Sequence, residues 1–402
     1  MLRQNLQAQG HVQKASAAGP PAPFDVCSMT FDILDAPEVV EAEWRELARL
    51  PHNSLHQGFD WCCAWWQAEQ RTPLIVRGRA EGRTVMLLPL ELRTEYGLRT
   101  ARFPGERFNN VNSSLTSADF LPLDPKASRR LVEALHKALA PQTDLLVLDT
   151  MPLSLAGTQS PFHARMTSEH PDRSFQLPLK ASMDETIAQL NAKTRRKRYR
   201  QQCRRLEALG GFQHYCPDEV SEQHALLDIF FNQKSDRLAA AGLPDVFRPP
   251  QIRRFFHGLI DRSVGARDYA LKLHALRLAD EERSIVAISG LSRKGDHILC
   301  QFGSIDDKLC PDASPGELLF WLLIEQACRE GATVFDFGLG DQPYKRSWCT
   351  QETILYDVLL PLSWKGRLMR PTLAAIGGLK RAIKRNAGLY SWAQRLRSRL
   401  AG

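Results

Sequence analysis

No apolar run in this sequence is long enough to cross a bilayer. The longest, Leu318 to Ile324, falls far short of the roughly 18 to 20 residues that a spanning helix needs. Residues 1–23 are rich in Gln, Ala and Pro and lack the apolar stretch of a secretory signal, so the expected compartment is the cytosol and 1–27 is an expected disordered lead-in. The nine cysteines form no C-x-x-C pair. That excludes a zinc ribbon, argues against a disulfide framework and predicts reduced, mostly buried thiols with no metal. Acidic residues are missing from two places: 193–205 holds eight basic side chains and no acid, and 363–402 holds ten and no acid. The net charge of +8 therefore resides in these two segments, while the rest of the chain is net acidic.

What is present describes a globular chain of two domains. Hydrophobic residues make up 43% of it, and 402 residues exceed one ordinary core. Helix and strand patterns alternate throughout. Helices are predicted over 37–50, 59–69, 126–139, 219–241, 250–262 and 315–330, and strands over 28–34, 74–80, 84–94, 143–149, 270–279, 283–292, 296–304, 333–337 and 353–360. A polar loop, Phe108-Asn-Asn-Val-Asn-Ser-Ser-Leu115, interrupts the first half. Ser182-x-x-Glu185 predicts a capping box that opens one long helix, stopped near Leu209 by Gly210-Gly211. The stretch 163–173 has breakers and no periodicity, so a linker is placed there. It divides an α/β chain of mixed sheets into 28–173, 174–362 and a tail, 363–402.

Chemistry concentrates between Asp296 and Trp348. A strand feeds Ser314-Pro315-Gly316-Glu317, where Ser314 caps a helix and Pro315 takes its first position. Such an N-terminus presents unpaired amides and the positive end of the helix dipole to a phosphate. The same residues also describe a plain capping box, whose Glu317 carboxylate would compete for those amides, and the residues alone favour that reading. Downstream, a buried strand ends in Asp336 and breaks over Gly338 and Gly340 into Tyr344, Lys345 and Arg346. Open α/β sheets build active sites this way, with polar side chains at a strand end beside a glycine turn. The plainer alternative is a turn that needs two glycines, with Asp336 paired to Lys345. Gly338-x-Gly340 lacks the third glycine of a dinucleotide fingerprint. His297 and His274 are further candidate bases, although a lone histidine on a strand is more often structural.

Three motifs in order resemble those of the CelD/BcsL-type acetyltransferases of the GNAT superfamily. They are the Arg- and Lys-rich run in 191–210, which closes in Arg205-Leu-Glu-Ala-Leu-Gly210, then Ser314-Pro-Gly-Glu-Leu-Leu319, and then Asp336-Phe-Gly-x-Gly340 with Tyr344-Lys-x-x-Trp348. The resemblance covers roughly 31–361. It implies two tandem GNAT-like acyl-CoA N-acyltransferase domains, the first degenerate, similar to the Fem-type aminoacyltransferases. In that superfamily the loop before the central helix cradles the pyrophosphate of coenzyme A. The resemblance therefore reverses the preference for a capping box and makes Ser314, Pro315 and Gly316, with Gly338 and Gly340, the expected acyl-donor site. The Arg or Gln with spaced glycines usual in that loop is absent here. Direct transfer from a thioester to an amine or hydroxyl needs a base, donors for the oxyanion and an acid for the thiolate. The candidates are Asp336 as base or orienting group, Tyr344 as acid and Lys345 as the stabilising charge. The implied donor is acetyl-CoA or another acyl-CoA, and the implied acceptor a small molecule or lipid-linked sugar of exopolysaccharide, cellulose or envelope-precursor synthesis. Two alternatives stand beside this: aminoacyl transfer from aminoacyl-tRNA, and a catalytically inactive GNAT-like binding module.

The basic segments admit several readings. Lys193 to Arg205 could be a solvated face, a nucleic-acid contact or a site for phosphate, with Arg195 and Arg198 as the candidate anion-binding residues. Only Tyr199 offers a ring for base stacking, which argues against nucleic acid. In the tail, Leu373, Ile376, Leu379, Ile383, Leu389, Trp392, Leu396 and Leu400 approximate helical spacing among Lys380, Arg381, Lys384, Arg385, Arg395 and Arg397. That is the pattern of a basic amphipathic helix on an anionic membrane, of a helix packed on the domain, or of a disordered tail.

Overall fold

The computed structural model describes residues 26–385 apart from Tyr96, Leu121, Thr167 and Asp307. Residues 1–25 of the expected disordered lead-in and the tail positions Leu389, Trp392, Arg395, Leu396, Arg397 and Leu400 lie outside the described residues, while Val26 and Cys27 of that lead-in belong to a short 3-10 turn, Val26–Ser28.

The same plan is built twice. In the first half the strands Thr30–Leu34, Pro73–Ala80, Arg83–Glu95 and Leu98–Arg102 form an antiparallel run. The helix Pro125–Leu139 then carries the chain to Leu145–Pro152, which lies parallel to Leu98–Arg102. In the second half Phe212–Tyr215, Tyr269–Leu278, Ile285–Lys294 and His297–Ile305 repeat the antiparallel run. The helix Pro315–Arg329 leads to Val334–Leu339, parallel to His297–Ile305. The fold is mixed α/β, with two halves of one topology.

The halves exchange strands. Gln351–Pro361, from the end of the second half, pairs with Leu145–Pro152 of the first and with Ser168–Pro178. Ser168–Pro178 in turn pairs with Val334–Leu339. The result is a single 13-stranded sheet running through both halves. This corrects the expected linker at 163–173, because residues from Ser168 onward belong to a strand in the middle of that sheet. Its first residues are half-buried on both faces, so no alternation of polar and apolar residues marks it.

The long helix expected from Ser182 is two helices. Ser182 caps Met183–Ala188 by accepting from the Glu185 amide at 3.2 Å. Asn191 then accepts from the Thr194 amide at 3.2 Å and starts Ala192–Glu207. A second cap inside one periodic stretch is a short-range signal that outweighs the periodicity.

An aromatic core spans the halves. Trp44, Trp61 and Trp65 of the first pack with Phe230, Phe255 and Phe256 of the second, all fully buried. Each such side chain contributes on the order of 2–3 kcal/mol by leaving water. This shared core sets the spacing of the cavity between the halves.

Candidate active site

Strands His297–Ile305 and Val334–Leu339 pair only as far as Leu299 opposite Asp336. Beyond that point they part. A bulge between the pairs Gly290/Phe302 and Leu291/Cys300 leaves Gln301 without a cross-strand partner on one side of the gap. On the other side Gly338 turns the chain with a positive φ of 71°. Asn110, from the polar loop of the first half, bridges the gap. Its Oδ1 accepts from the Leu339 amide at 2.8 Å and its Nδ2 donates to Gln301 Oε1 at 2.9 Å. A Cβ at position 338 would lie 2.2 Å from Asn110 Oδ1, so glycine is required there twice over, by φ and by space.

Asp336 is buried at the last paired position. Its carboxylate accepts from the Gly338 amide at 2.7 Å, from Gln176 Nε2 at 3.0 Å and from Ser174 Oγ at 3.1 Å. His297 Nε2 stands 3.3 Å from its Oδ2, off the line of a good hydrogen bond. Burial alone would raise this carboxyl, but His297, Gln176 and the Gly338 amide outweigh it and hold it below the usual carboxylate range. The His297 side chain remains 39% exposed. Both residues line a cavity of about 500 Å³ between the halves, with His56, Asn110, Gln176 and Lys294 among its other walls. Burial pushes Lys294 down to about 7, and its ammonium donates to the carbonyls of Leu50 and Asn53. Burial likewise takes His56 down to about 4, so its ring is neutral. His56 Nδ1 lies 3.0 Å from the Val111 carbonyl, which leaves Nε2 to accept from Gln301 Nε2 at 3.3 Å.

The other expected residues lie on the opposite face. Phe335 and Phe337 alternate with Asp336 along the strand and point toward the helix Pro315–Arg329. Tyr344 follows them, stacked on Phe320 with ring centroids 5.5 Å apart. The sheet therefore separates Asp336 from Tyr344, and the strands part beside Asp336, between the two faces. Lys345 is buried and donates to the Leu339 carbonyl at 2.5 Å, so the alternative of an Asp336–Lys345 pair is replaced by the network around Asp336.

At the helix entrance, Ser314 adopts a left-handed φ of 49° and makes no side-chain cap. Glu317 instead pairs with Arg195 at 2.7 Å. The capping-box reading of Ser314 and Glu317 is thus corrected: a residue in the left-handed region cannot aim its hydroxyl at the third amide, and the carboxylate has a cation. Gly316 sits where a Cβ would come within 2.9 Å of Ile305, and Gly340 turns with φ 98°. Arg195 is engaged by Glu317, by the Ser347 hydroxyl at 2.7 Å and by the Trp348 ring at 3.8 Å. Arg198 is exposed on the same helix. His274 is a core histidine stacked on His214, taken down to about 3 by burial.

Sequence reasoning set His297 aside and missed His56, Gln301 and Lys294. The loop 108–115 was visible only as a polar interruption of the first half. Its partners were not visible.

Residues 193–346 match the family model of the acetyltransferase (GNAT) domain. The second half carries a GNAT-type acetyltransferase domain. That domain marks the chain as an acyltransferase. No curated protein matches the sequence. Among solved structures, FemX is similar at 11% identity and a TM-score of 0.55, over 84% of this chain and 99% of FemX. L-PGS from Bacillus licheniformis is similar at 13% identity and a TM-score of 0.51, over 88% of this chain and 98% of that one. The C-terminal domain of a proposed lysylphosphatidylglycerol synthetase from Agrobacterium fabrum gives 10% identity and a TM-score of 0.50, over 85% and 97% of the two chains. These likenesses extend the shared fold across both halves of the GNAT-bearing chain.

Proposed function

We propose that the chain transfers an acyl group from acyl-CoA, through the gap between the parted strands, to an amine or hydroxyl acceptor held between the halves. The observation that carries this reading is the Asp336–His297 pair on the cavity wall at the point where the strands separate. The donor's phosphates would rest on the amides of Ser314 and Gly316, against the Pro315 ring and beside Arg198, with the pantetheine arm running toward Gly338 and Gly340. Asp336 orients His297, whose free nitrogen takes the proton from the attacking amine or hydroxyl. The new C–N or C–O bond forms, the C–S bond breaks, and the thiolate takes its proton from Tyr344 on the donor side. Lys345, beside the Leu339 carbonyl, adds positive charge near the developing oxyanion. The motif set of CelD/BcsL type directs the donor to acetyl-CoA and the acceptor to a sugar, small or lipid-linked, of exopolysaccharide or envelope-precursor synthesis.

His297→Gln, Asp336→Asn and Tyr344→Phe should each lower acetyl transfer to an amino-sugar acceptor by roughly 10²-fold, the scale of a lost acid or base. Unchanged turnover in the first two would remove the pair from the mechanism. A second reading, transfer from aminoacyl-tRNA, is favoured by the exposed Lys193, Lys197, Arg198 and Arg200 on the helix Ala192–Glu207 and by the likeness to FemX. Calorimetry separates them. Saturable binding of acetyl-CoA supports the first reading, whereas its absence together with salt-sensitive binding of aminoacyl-tRNA would install the second.

A further inference from the structure

We propose that the outward face of the helix Trp364–Arg385 seats this chain on an anionic lipid surface. The helix lies along the two exchanged strands, Ser168–Pro178 and Gln351–Pro361. Its inner face is built for close approach. A Cβ on Gly366 would fall 2.0 Å from the Asp144 carbonyl, Arg381 donates to Ser168 at 3.2 Å and Lys384 to Asp172 at 2.5 Å. These contacts fix which way the helix turns.

With that face fixed, the largest apolar side chains point out. Trp364 is 71% exposed, Leu368 69%, Leu379 62% and Ile376 46%. At 3.6 residues per turn they occupy an arc of about 120°, roughly opposite Gly366 and Lys384. The expected tail stripe is corrected in part: Leu373 and Ile383 are half-buried, and Trp364 and Leu368 extend the outward row toward the helix start. Such a row on a soluble domain costs free energy unless something covers it.

Charge decides what covers it. Lys365, Arg367 and Arg370 are exposed around Trp364 and Leu368, and no acidic residue occurs from 363 to 402. A second copy packed on this face would set arginine against arginine. An anionic bilayer accepts the apolar row at its headgroup boundary and the basic flanks at its surface, with Trp364 suited to that boundary. No described helix is long and apolar enough to cross a membrane, so the contact is peripheral. It stands whether or not the second half uses the chemistry proposed above.

Sedimentation with vesicles tests it on the full chain. At low salt the chain should bind phosphatidylglycerol-containing vesicles at least tenfold better than pure phosphatidylcholine. The triple variant Trp364→Ser, Leu368→Ser, Leu379→Ser should lose at least tenfold of that binding while keeping its melting temperature and its acetyl-CoA affinity, because those side chains support no core. Arg367→Glu with Arg370→Glu should bind less and respond less to salt. Parent-like vesicle binding by the triple variant would overturn the proposal, as would equal binding to neutral and anionic vesicles. So would a parent that sediments with neither vesicle and runs as a dimer by light scattering, which would assign the face to a second copy. A triple variant that loses vesicles but keeps acetyl-CoA separates this proposal from the transfer reading.

Discussion

Arg195, in the helix Ala192–Glu207, is buried with its guanidinium 3.8 Å from the Trp348 ring, whereas Arg367 and Arg370, in the helix Trp364–Arg385, stand in solvent beside exposed Trp364 and Leu368. Both segments are strongly basic. The first is pinned by its charges: Arg195 holds Glu317 and Ser347, Arg205 donates to the Asp312 carbonyl, and Tyr199 stacks on Trp321 at 4.4 Å. The second is anchored by the close fit of Gly366 at one end and by Arg381 and Lys384 at the other, so Arg367 and Arg370 and the large apolar residues between these anchors are left outside. A run of positive charge therefore has no fixed meaning. What anchors the helix decides whether its cations brace the fold or meet a partner.

The contrast can be broken most sharply at Arg195. Arg195→Ala leaves the partly buried Glu317 without its cation and uncovers Trp348, so urea unfolding should show a loss of about 3 kcal/mol. A loss under about 1 kcal/mol would place Arg195 with the surface arginines. Tyr199→Ala removes the stacked ring from Trp321 and should cost about 1–2 kcal/mol in the same measurement. The smallest effects are expected at Arg198 and Arg367. Arg198→Glu and Arg367→Glu should each leave stability within about 0.5 kcal/mol of the parent, the first weakening acetyl-CoA binding and the second vesicle binding. If either exchanged readouts with the other, the division between the helices would fail.

Much of this molecule could be read locally. The helix Phe59–Glu69 was expected over the same residues, and the start at Pro315 was legible because proline at the first turn is a short-range signal. The strand ending near Asp336 was legible from its apolar run and the glycines after it. The strand Ser168–Pro178 was not, since it is held by backbone pairing to two neighbours rather than by an alternating apolar face. The site divides in the same way. Asp336 stood out by its place at a strand end, but its partner His297 is one of several histidines on strands until the parallel pairing sets Leu299 beside Asp336. His56 and Asn110 belong to the other half altogether, and nothing near them in the chain points to Gln301.

By itself, the sequence determined the alternation of helices and strands, the helix entrance at Ser314-Pro315, the glycine turn after Asp336 and the placing of positive charge in two segments. Each of these depends on neighbours a few residues apart, through turn geometry, capping or side-chain period. Only the tertiary structure decided that the halves exchange strands, that Asp336 faces His297 while Tyr344 stands across the sheet, that Arg195 is buried, and that Trp364 and Leu368 face outward. Those outcomes depend on which surfaces remain once the shared aromatic core and the backbone pairing have used the rest, and chain-distant contacts of that kind leave no period in the sequence.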